Sequence, residues 1–310
     1  MTELLVRAVR PGDAADATAF AAIRRACLPA LLTNAAAVLF EAEHAHPEAH
    51  YLQLLAEADG TPIGTGQVGV AYDSPEPGQG FANVYVLPEH RGRGAGSLLL
   101  RTAEEHLAAH GAGTVFSWAL EGPRNRAFAE RRGYRASRSA HFLRLDLAAG
   151  ELPPLDAPPP GVELRTAADF AADPRLLFRL DAETTADEPG DVAADLQDYE
   201  QWLMDTWNHP MLDRALTVVA VVDGRPAAFT AARTDGAGRY LSGMTGTARA
   251  HRGRGLATLV KTASLHRARA AGCTEAFTGN DADNAPMLAV NKRLGYEICD
   301  TEVRHVRALG

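Results

Sequence analysis

Two short runs in this 310-residue sequence bring together residue types that hold anions: Arg91-Gly92-Arg93-Gly94-Ala95-Gly96 and Arg252-Gly253-Arg254-Gly255-Leu256-Ala257. Each opens a segment with small and apolar residues at helical spacing, Ala95, Leu98, Leu99, Thr102 and Leu107, then Leu256, Leu259, Val260 and Ala263. The first turn of a helix has N–H groups without partners and the positive end of the dipole, and glycine lets the backbone approach a ligand. A phosphate or pyrophosphate is the expected occupant of each loop. The plainer reading is a tight strand-to-helix turn with solvated arginines. Two other phosphate motifs fail: no G-x-x-x-x-G-K-[ST] run exists, and G-x-G-x-x-G breaks at Ser97 and at Thr258.

A second chemical feature is acidic. Asp181, Glu183, Asp187, Glu188, Asp191, Asp195, Asp198, Glu200 and Asp205 follow one another with no Lys or Arg between. Their potential attracts an ammonium group, although any one of them reads equally as part of a solvated helix face. Asp187 and Glu188 precede Pro189-Gly190 and so belong to a loop, where either could accept a proton through water. Trp202 and Trp207 in the same stretch read as core or cleft lining. No metal is expected: Glu43-His44-Ala45-His46 with Glu48 and His50 is interrupted by Pro47 and lacks ligand spacing. Cys27, Cys273 and Cys299 are too scattered for a disulfide framework. His90 and His251 precede the arginine loops and read as flanking the phosphate.

The elements that position these loops are written twice. Leu5–Ala8 and Val162–Arg165 read as opening strands. Each half then has a strand, an Asp-Gly turn and another strand: Tyr51–Ala56, Asp59-Gly60 and Ile63–Val70, then Thr217–Val222, Asp223-Gly224 and Ala227–Ala232. Asp-Gly between such runs predicts a hairpin, because both central residues need positive φ. After the loop helices, closed by Gly111 and Gly272, come strands Thr114–Leu120 and Thr274–Thr278, then helices ending in Arg132-Gly133-Tyr134 and Leu294-Gly295-Tyr296. Gly60 and Gly224, Arg91 and Arg252, and Gly133 and Gly295 stand 164, 161 and 162 residues apart. That register predicts a tandem duplication, with domains 1–148 and 162–310 joined by a semi-rigid linker, 149–161, containing Pro153, Pro154, Pro158, Pro159 and Pro160.

The pattern R-x-x-G-x-G/A between strand and helix resembles the acetyl-coenzyme A motif of the GNAT acetyltransferase superfamily. Asn284-Ala285-Pro286-Met287-Leu288-Ala289-Val290-Asn291-Lys292-Arg293-Leu294-Gly295-Tyr296 resembles that superfamily's closing helix. The resemblance covers nearly the whole chain, twice. It implies an α/β fold of mixed α+β sheets: two tandem domains, each a twisted mixed sheet with splayed fourth and fifth strands flanked by helices. It implies that pantetheine pairs with backbone around Val84–Val86 and Thr245–Thr247 (Thr245, Gly246, Thr247). The pyrophosphate would lie on Arg91, Gly92, Arg93, Gly94, Ala95 and Gly96, or on Arg252, Gly253, Arg254, Gly255, Leu256 and Ala257.

Many members place a tyrosine four residues before the glycine of the closing Leu-Gly-Tyr and an asparagine eleven residues before it. Here these positions are Ala129 and Gly122 in the first half, Asn291 and Asn284 in the second. The second half is therefore the expected catalytic domain, with Asn284 on the coenzyme and Asn291 near the sulfur, and the first is expected to be degenerate yet able to bind coenzyme A. The tandem layout is similar to the mycothiol synthase family. Its glutamate, five residues before the position of Thr247, and its tyrosine are not matched, because Ser242 and Asn291 stand there, with Phe81 and Ala129 in the other half.

The net charge of −8 argues against nucleic acid as a partner, and the longest apolar stretch, near Ala215–Val222, is far short of a membrane span. The expectation is a cytoplasmic monomer or homodimer. Its reaction is acetyl-CoA-dependent N-acetylation of a primary amine of a small, cationic metabolite, by direct attack on the thioester. A non-catalytic acyl-CoA sensor and a protein or peptide N-acetyltransferase stay open beside it.

Overall fold

A computed structural model describes residues 3–74, 76–188 and 196–310. Pro189, Gly190, Asp191 and Asp195 of the acidic run lie outside the described residues. By contacts the chain falls into two compact units, Met1–Ala140 with Asp300–Gly310, and His141–Cys299.

The first unit runs through β1 (Leu4–Ala8), α1 (Ala14–Cys27), α2 (Ala35–His44), β2 (Leu52–Ala58), β3 (Thr61–Val70), β4 (Gln79–Val86), α3 (Ala95–Ala109), β5 (Thr114–Leu120) and α4 (Pro123–Glu130), and ends in β6 (Arg135–Asp146). β1 to β4 form an antiparallel meander. Asp59 and Gly60 turn the β2–β3 hairpin with φ of 50° and 77°, the left-handed geometry that an Asp-Gly pair suits. β4 then pairs parallel with β5, but only over Gln79–Phe81 and Thr114–Phe116. Beyond that point the strands part.

One face of the sheet packs on α3 through Leu54, Ile63, Leu99, Ala103 and Leu107. The other packs on α1 and α2 through Phe20, Ile23, Val38 and Leu55. α1 and α2 carry side-chain caps, Asp13 and Asn34, whereas α3 opens on Gly94 with none.

The second unit repeats the plan with β7 (Val162–Thr166), α5 (Arg175–Thr185), α6 (Tyr199–Trp202) and its continuing π-helical turn (Leu203–Trp207), β8 (Val218–Val222), β9 (Arg225–Thr234), β10 (Arg239–Thr247), α7 (Leu256–Ala270), β11 (Glu275–Asp281), α8 (Ala285–Arg293) and β12 (Glu297–Ala308). β10 runs parallel to β11 from Arg239 to Ser242, and its register against β9 shifts between Ser242 and Thr245. Trp202 and Trp207 are buried with Phe170, Leu180 and Phe229.

The first unit takes its closing strand from the far end of the sequence. Glu302–Ala308 of β12 pairs antiparallel with Thr114–Leu120 and belongs to the first unit. Residues 141–146 of β6 belong to the second, where Arg144 pairs with Glu275 at 2.7 Å.

Candidate donor clefts and acceptor faces

In the first unit the divergence of β4 and β5 opens a cleft of about 870 Å³, within the range of small-molecule sites. Val84 and Val86 form one wall, Ala119 and Leu120 another, Phe128 of α4 a third, and the start of α3 the floor. Of the residues that the sequence assigns to the coenzyme here, Val84, Val86, Arg91, Gly92, Gly94, Ala95 and Gly96 line it; Arg93 does not. Gly92 and Gly94 have φ of 79° and 101°, and no atom lies within 4 Å of where a Cβ on Gly92 would stand. Arg91 Nε donates to the Val86 carbonyl at 2.9 Å, which fixes the bend. With no side-chain cap on α3, its first N–H groups are left for an anion. These features fit coenzyme A: a splayed edge, a glycine bend and an uncapped helix around one cleft.

The opposite face of this sheet is polar. Asn83 Oδ1 accepts from the Trp118 N–H at 2.8 Å across the gap between β4 and β5. Arg24 of α1 is buried, lies 5.0 Å from the centre of the Tyr85 ring, and donates to Gln67. Gln67 donates in turn to the Tyr51 hydroxyl at 2.7 Å, and Tyr51 to Glu41 at 3.3 Å. Burial pushes the Tyr85 phenol up to about 12. Glu302, opposite Leu120 on β12, is pushed up to about 7 by burial, with Arg24 pulling the other way.

The second unit places its loop differently. Gly253 and Gly255 again have positive φ, 74° and 77°, α7 has no side-chain cap, and Arg252 Nε donates to the Thr247 carbonyl at 3.1 Å. Here, however, Asp187 grips the loop, accepting from Arg249 at 2.7 and 2.8 Å and from Arg252. Those guanidinium groups hold its carboxyl well below the usual carboxylate range. Glu183 accepts the Arg249 N–H at 2.7 Å. Asp187, expected from sequence as a proton acceptor, is therefore engaged by the anion loop itself. Glu188 is exposed beside it. Arg254 Nη1 meets His251 Nδ1 at 2.9 Å, Leu256 is buried, and Ala257 follows it in the first turn of α7. Gly246 faces Thr184 so closely that a Cβ would stand 2.3 Å from the threonine Oγ1.

Asn284 caps α8, its Oδ1 accepting from the Met287 N–H at 3.2 Å. Asn291 is fully buried; its Nδ2 donates to Asn280 Oδ1, and its own Oδ1 has no partner among the described residues. Other acids of the run have structural tasks. Asp181 is buried and accepts from Trp202 Nε1 at 2.8 Å, and Asp198 caps α6.

Sequence reasoning missed a buried polar chain on the α7 side of the sheet. Lys261, 1% exposed, donates to Ser242 Oγ at 2.7 Å. Ser242 meets Thr230 at 3.1 Å, and Thr230 meets Thr245 at 2.8 Å. Burial alone pushes the ammonium down to about 7. The one signal was spacing: Lys261, Ser264, Leu265 and Ala268 continue a broad buried arc of α7. Glu302, in an alternating strand, gave none.

Among the described residues no group of three or more His, Cys, Asp or Glu is arranged to hold a metal; His44 stacks on Phe40 and His46 on Tyr72. No described helix is long and apolar enough to cross a membrane.

Comparison with known proteins agrees with this geometry. The Acetyltransferase (GNAT) family model matches residues 18–134 and again 178–296. Proteins named mycothiol acetyltransferase are similar along most of their length. That of Nocardia farcinica is 31% identical, covering 81% of both chains, and that of Nocardiopsis dassonvillei is 28% identical, covering 86% of this chain and 85% of its own. Two solved structures share the fold. A GCN5-related N-acetyltransferase from Sphaerobacter thermophilus superposes with a TM-score of 0.72 at 24% identity, over 98% of this chain and 95% of that one. A tandem GNAT protein from the clavulanic acid biosynthesis pathway gives 0.71 at 23% identity, over 99% of each.

Proposed function

The chain belongs to the acetyltransferase (GNAT) family, in two tandem copies, and from that premise we propose that it carries acetyl from acetyl-coenzyme A to the primary amine of a small, cationic metabolite. The family makes it an acyltransferase, and acetyl-CoA is the donor we propose for it. The reading of the donor site rests on one observation above all, the open cleft of the first unit, with its glycine bend and uncapped helix facing the gap between β4 and β5. Main-chain N–H groups at Ala95–Ser97 would hold the pyrophosphate, and the unpaired edge of β4 at Val84–Val86 the pantetheine. Coenzyme A supplies the activated acetyl group, and these residues orient it.

The closing-helix pattern favours the second unit for catalysis, whereas the accessible loop favours the first, since Asp187 occupies the arginines of the second. The acceptor is read as small because relatives named for mycothiol are, by that name, small-molecule enzymes. Their substrate is not carried over, because Ser242 and Asn291 stand where that family has its glutamate and tyrosine.

Release of free thiol from acetyl-CoA with a panel of amines tests the activity; tight binding without thiol release for any amine would favour a sensor instead. Gly94→Glu sets a carboxylate against the pyrophosphate site of the first unit, and Gly255→Glu does so in the second. On the present reading Gly94→Glu abolishes turnover, with at least a hundredfold loss, while Gly255→Glu leaves most of it. The reverse pattern moves the chemistry to the second unit.

A further inference from the structure

We propose that Glu302 is the proton acceptor for the attacking amine in the first unit, supplied to that unit by the last strand of the chain. This rests on the donor cleft proposed above. Three observations carry it.

The first is position. Glu302 pairs with Leu120, the residue at which β5 ends beside the cleft, and Leu120 itself lines that cleft. The gap between β4 and β5 opens a route through the sheet, since among the described residues β4 and β5 are joined only as far as Phe81 and Phe116. Val84 and Val86 turn to the α3 side, and Tyr85 turns to the α1 side, where the charge of Glu302 acts on its phenol. A thioester held along β4 is therefore approached from the face that carries Glu302.

The second is the surroundings. Arg24 from α1 and Tyr85 from β4 face the carboxyl, Cys27 of α1 lies near Tyr85, and Arg304, the next residue on the same face of β12, lies over the Phe116 ring at 4.1 Å. Neither Tyr85 nor Cys27 takes a proton from an ammonium near neutral pH, because burial raises both. Arg24 and Arg304 are cations, which leaves Glu302 as the acceptor among these groups.

The third is availability. No side chain among the described residues is hydrogen-bonded to the Glu302 carboxyl, in contrast to Asp187 with its two arginines. A carboxyl pushed up to about 7 by burial is matched to proton transfer at neutral pH.

The step balances as follows. The ammonium of the acceptor gives one proton to Glu302, the neutral nitrogen forms a bond to the thioester carbonyl carbon, and the carbon–sulfur bond breaks. The second nitrogen proton passes to the departing thiolate, giving the amide and free coenzyme A, and Glu302 returns its proton to solvent.

The test uses the full chain, acetyl-CoA and two probe amines, ethanolamine, which is protonated near pH 7, and hydroxylamine, which is already neutral there. Glu302→Gln is expected to lower thiol release with ethanolamine at least a hundredfold, and to remove the fall in rate below pH 7, while acetyl-CoA binding by calorimetry and the rate with hydroxylamine stay within threefold of wild type. Glu302→Asp restores part of the ethanolamine rate together with its pH limb. An unchanged ethanolamine rate and pH profile in Glu302→Gln overturns the proposal, as does equal loss with both amines, or a wild-type chain that releases no thiol with either. If Gly94→Glu spares turnover, the donor reading itself fails. If Gly94→Glu abolishes it while Glu302→Gln does not, the donor reading stands and only the assignment of Glu302 falls.

Discussion

A lysine with no carboxylate beside it, sealed under a sheet, costs folding energy whenever it must carry its charge. Among the described residues the Lys261 ammonium is paired with the Ser242 hydroxyl and lies 5.8 Å from the Tyr296 ring. Its folded-state value of about 7 lies below the ordinary 10.5, so the unfolded chain binds more protons between those limits. Stability therefore rises with pH across that window, by up to about 1.4 kcal/mol per pH unit. Above about pH 10 the buried Tyr240 and Tyr296, raised by burial, reverse the trend. Lys261→Met should stabilise the chain at pH 7 by about 2 kcal/mol, the order expected when a buried ionisable group gives way to an apolar one of similar volume. It should also flatten the pH dependence of the denaturant midpoint between 7 and 10; a midpoint that falls on substitution contradicts this account. At this scale the sequence was half legible. Gly92, Gly94, Gly253 and Gly255 were readable because positive φ and an uncapped helix start are local demands. Lys261, Glu302 and the grip of Asp187 were not, because burial and partners are set by residues far along the chain.

At the scale of elements the two loops are alike in backbone and unlike in what covers them. Both bends are locked by an arginine Nε on a strand carbonyl, Arg91 on Val86 and Arg252 on Thr247. Among the described residues, the second has an acid just past the end of α5 laid across it, on two guanidinium groups, and the first has none. A pyrophosphate and the Asp187 carboxylate compete for the same donors. Asp187→Asn, made in a Gly94→Glu chain so that only the second loop is read, should tighten coenzyme A binding roughly tenfold by calorimetry. The gain should shrink as salt rises, because the pair is exposed. Unchanged affinity would mean that the aspartate does not occupy the coenzyme's place. The hairpins were legible in advance: Asp223 and Gly224 turn with φ of 49° and 74°, as the dipeptide dictates. The acidic run was less so, since periodicity cannot tell an acid that caps a helix, as Asp198 does, from one that faces a ligand.

At the largest scale the first unit is not one continuous stretch of sequence, because residues 300–310 belong to it. Arg135–Asp146 and Glu297–Ala308 are both strands, and the residues of a strand do not by themselves say which neighbour it will pair with. A fragment cut at the proline-rich stretch, residues 1–148, keeps β5 but lacks Glu302–Ala308, seven residues in continuous antiparallel register with it. Val115 and Phe116 are buried in the intact chain and would lie on or beside an open edge in that fragment. It should therefore associate on size-exclusion chromatography and melt without a cooperative transition. Residues 1–140 joined through a short flexible link to 300–310 should recover a cooperative melt and, with β5 closed again, coenzyme A binding by calorimetry. If 1–148 alone is monomeric and melts as sharply as the repaired fragment, the closing strand is dispensable. Glu302 would then have reached the cleft of the first unit without being needed to complete it.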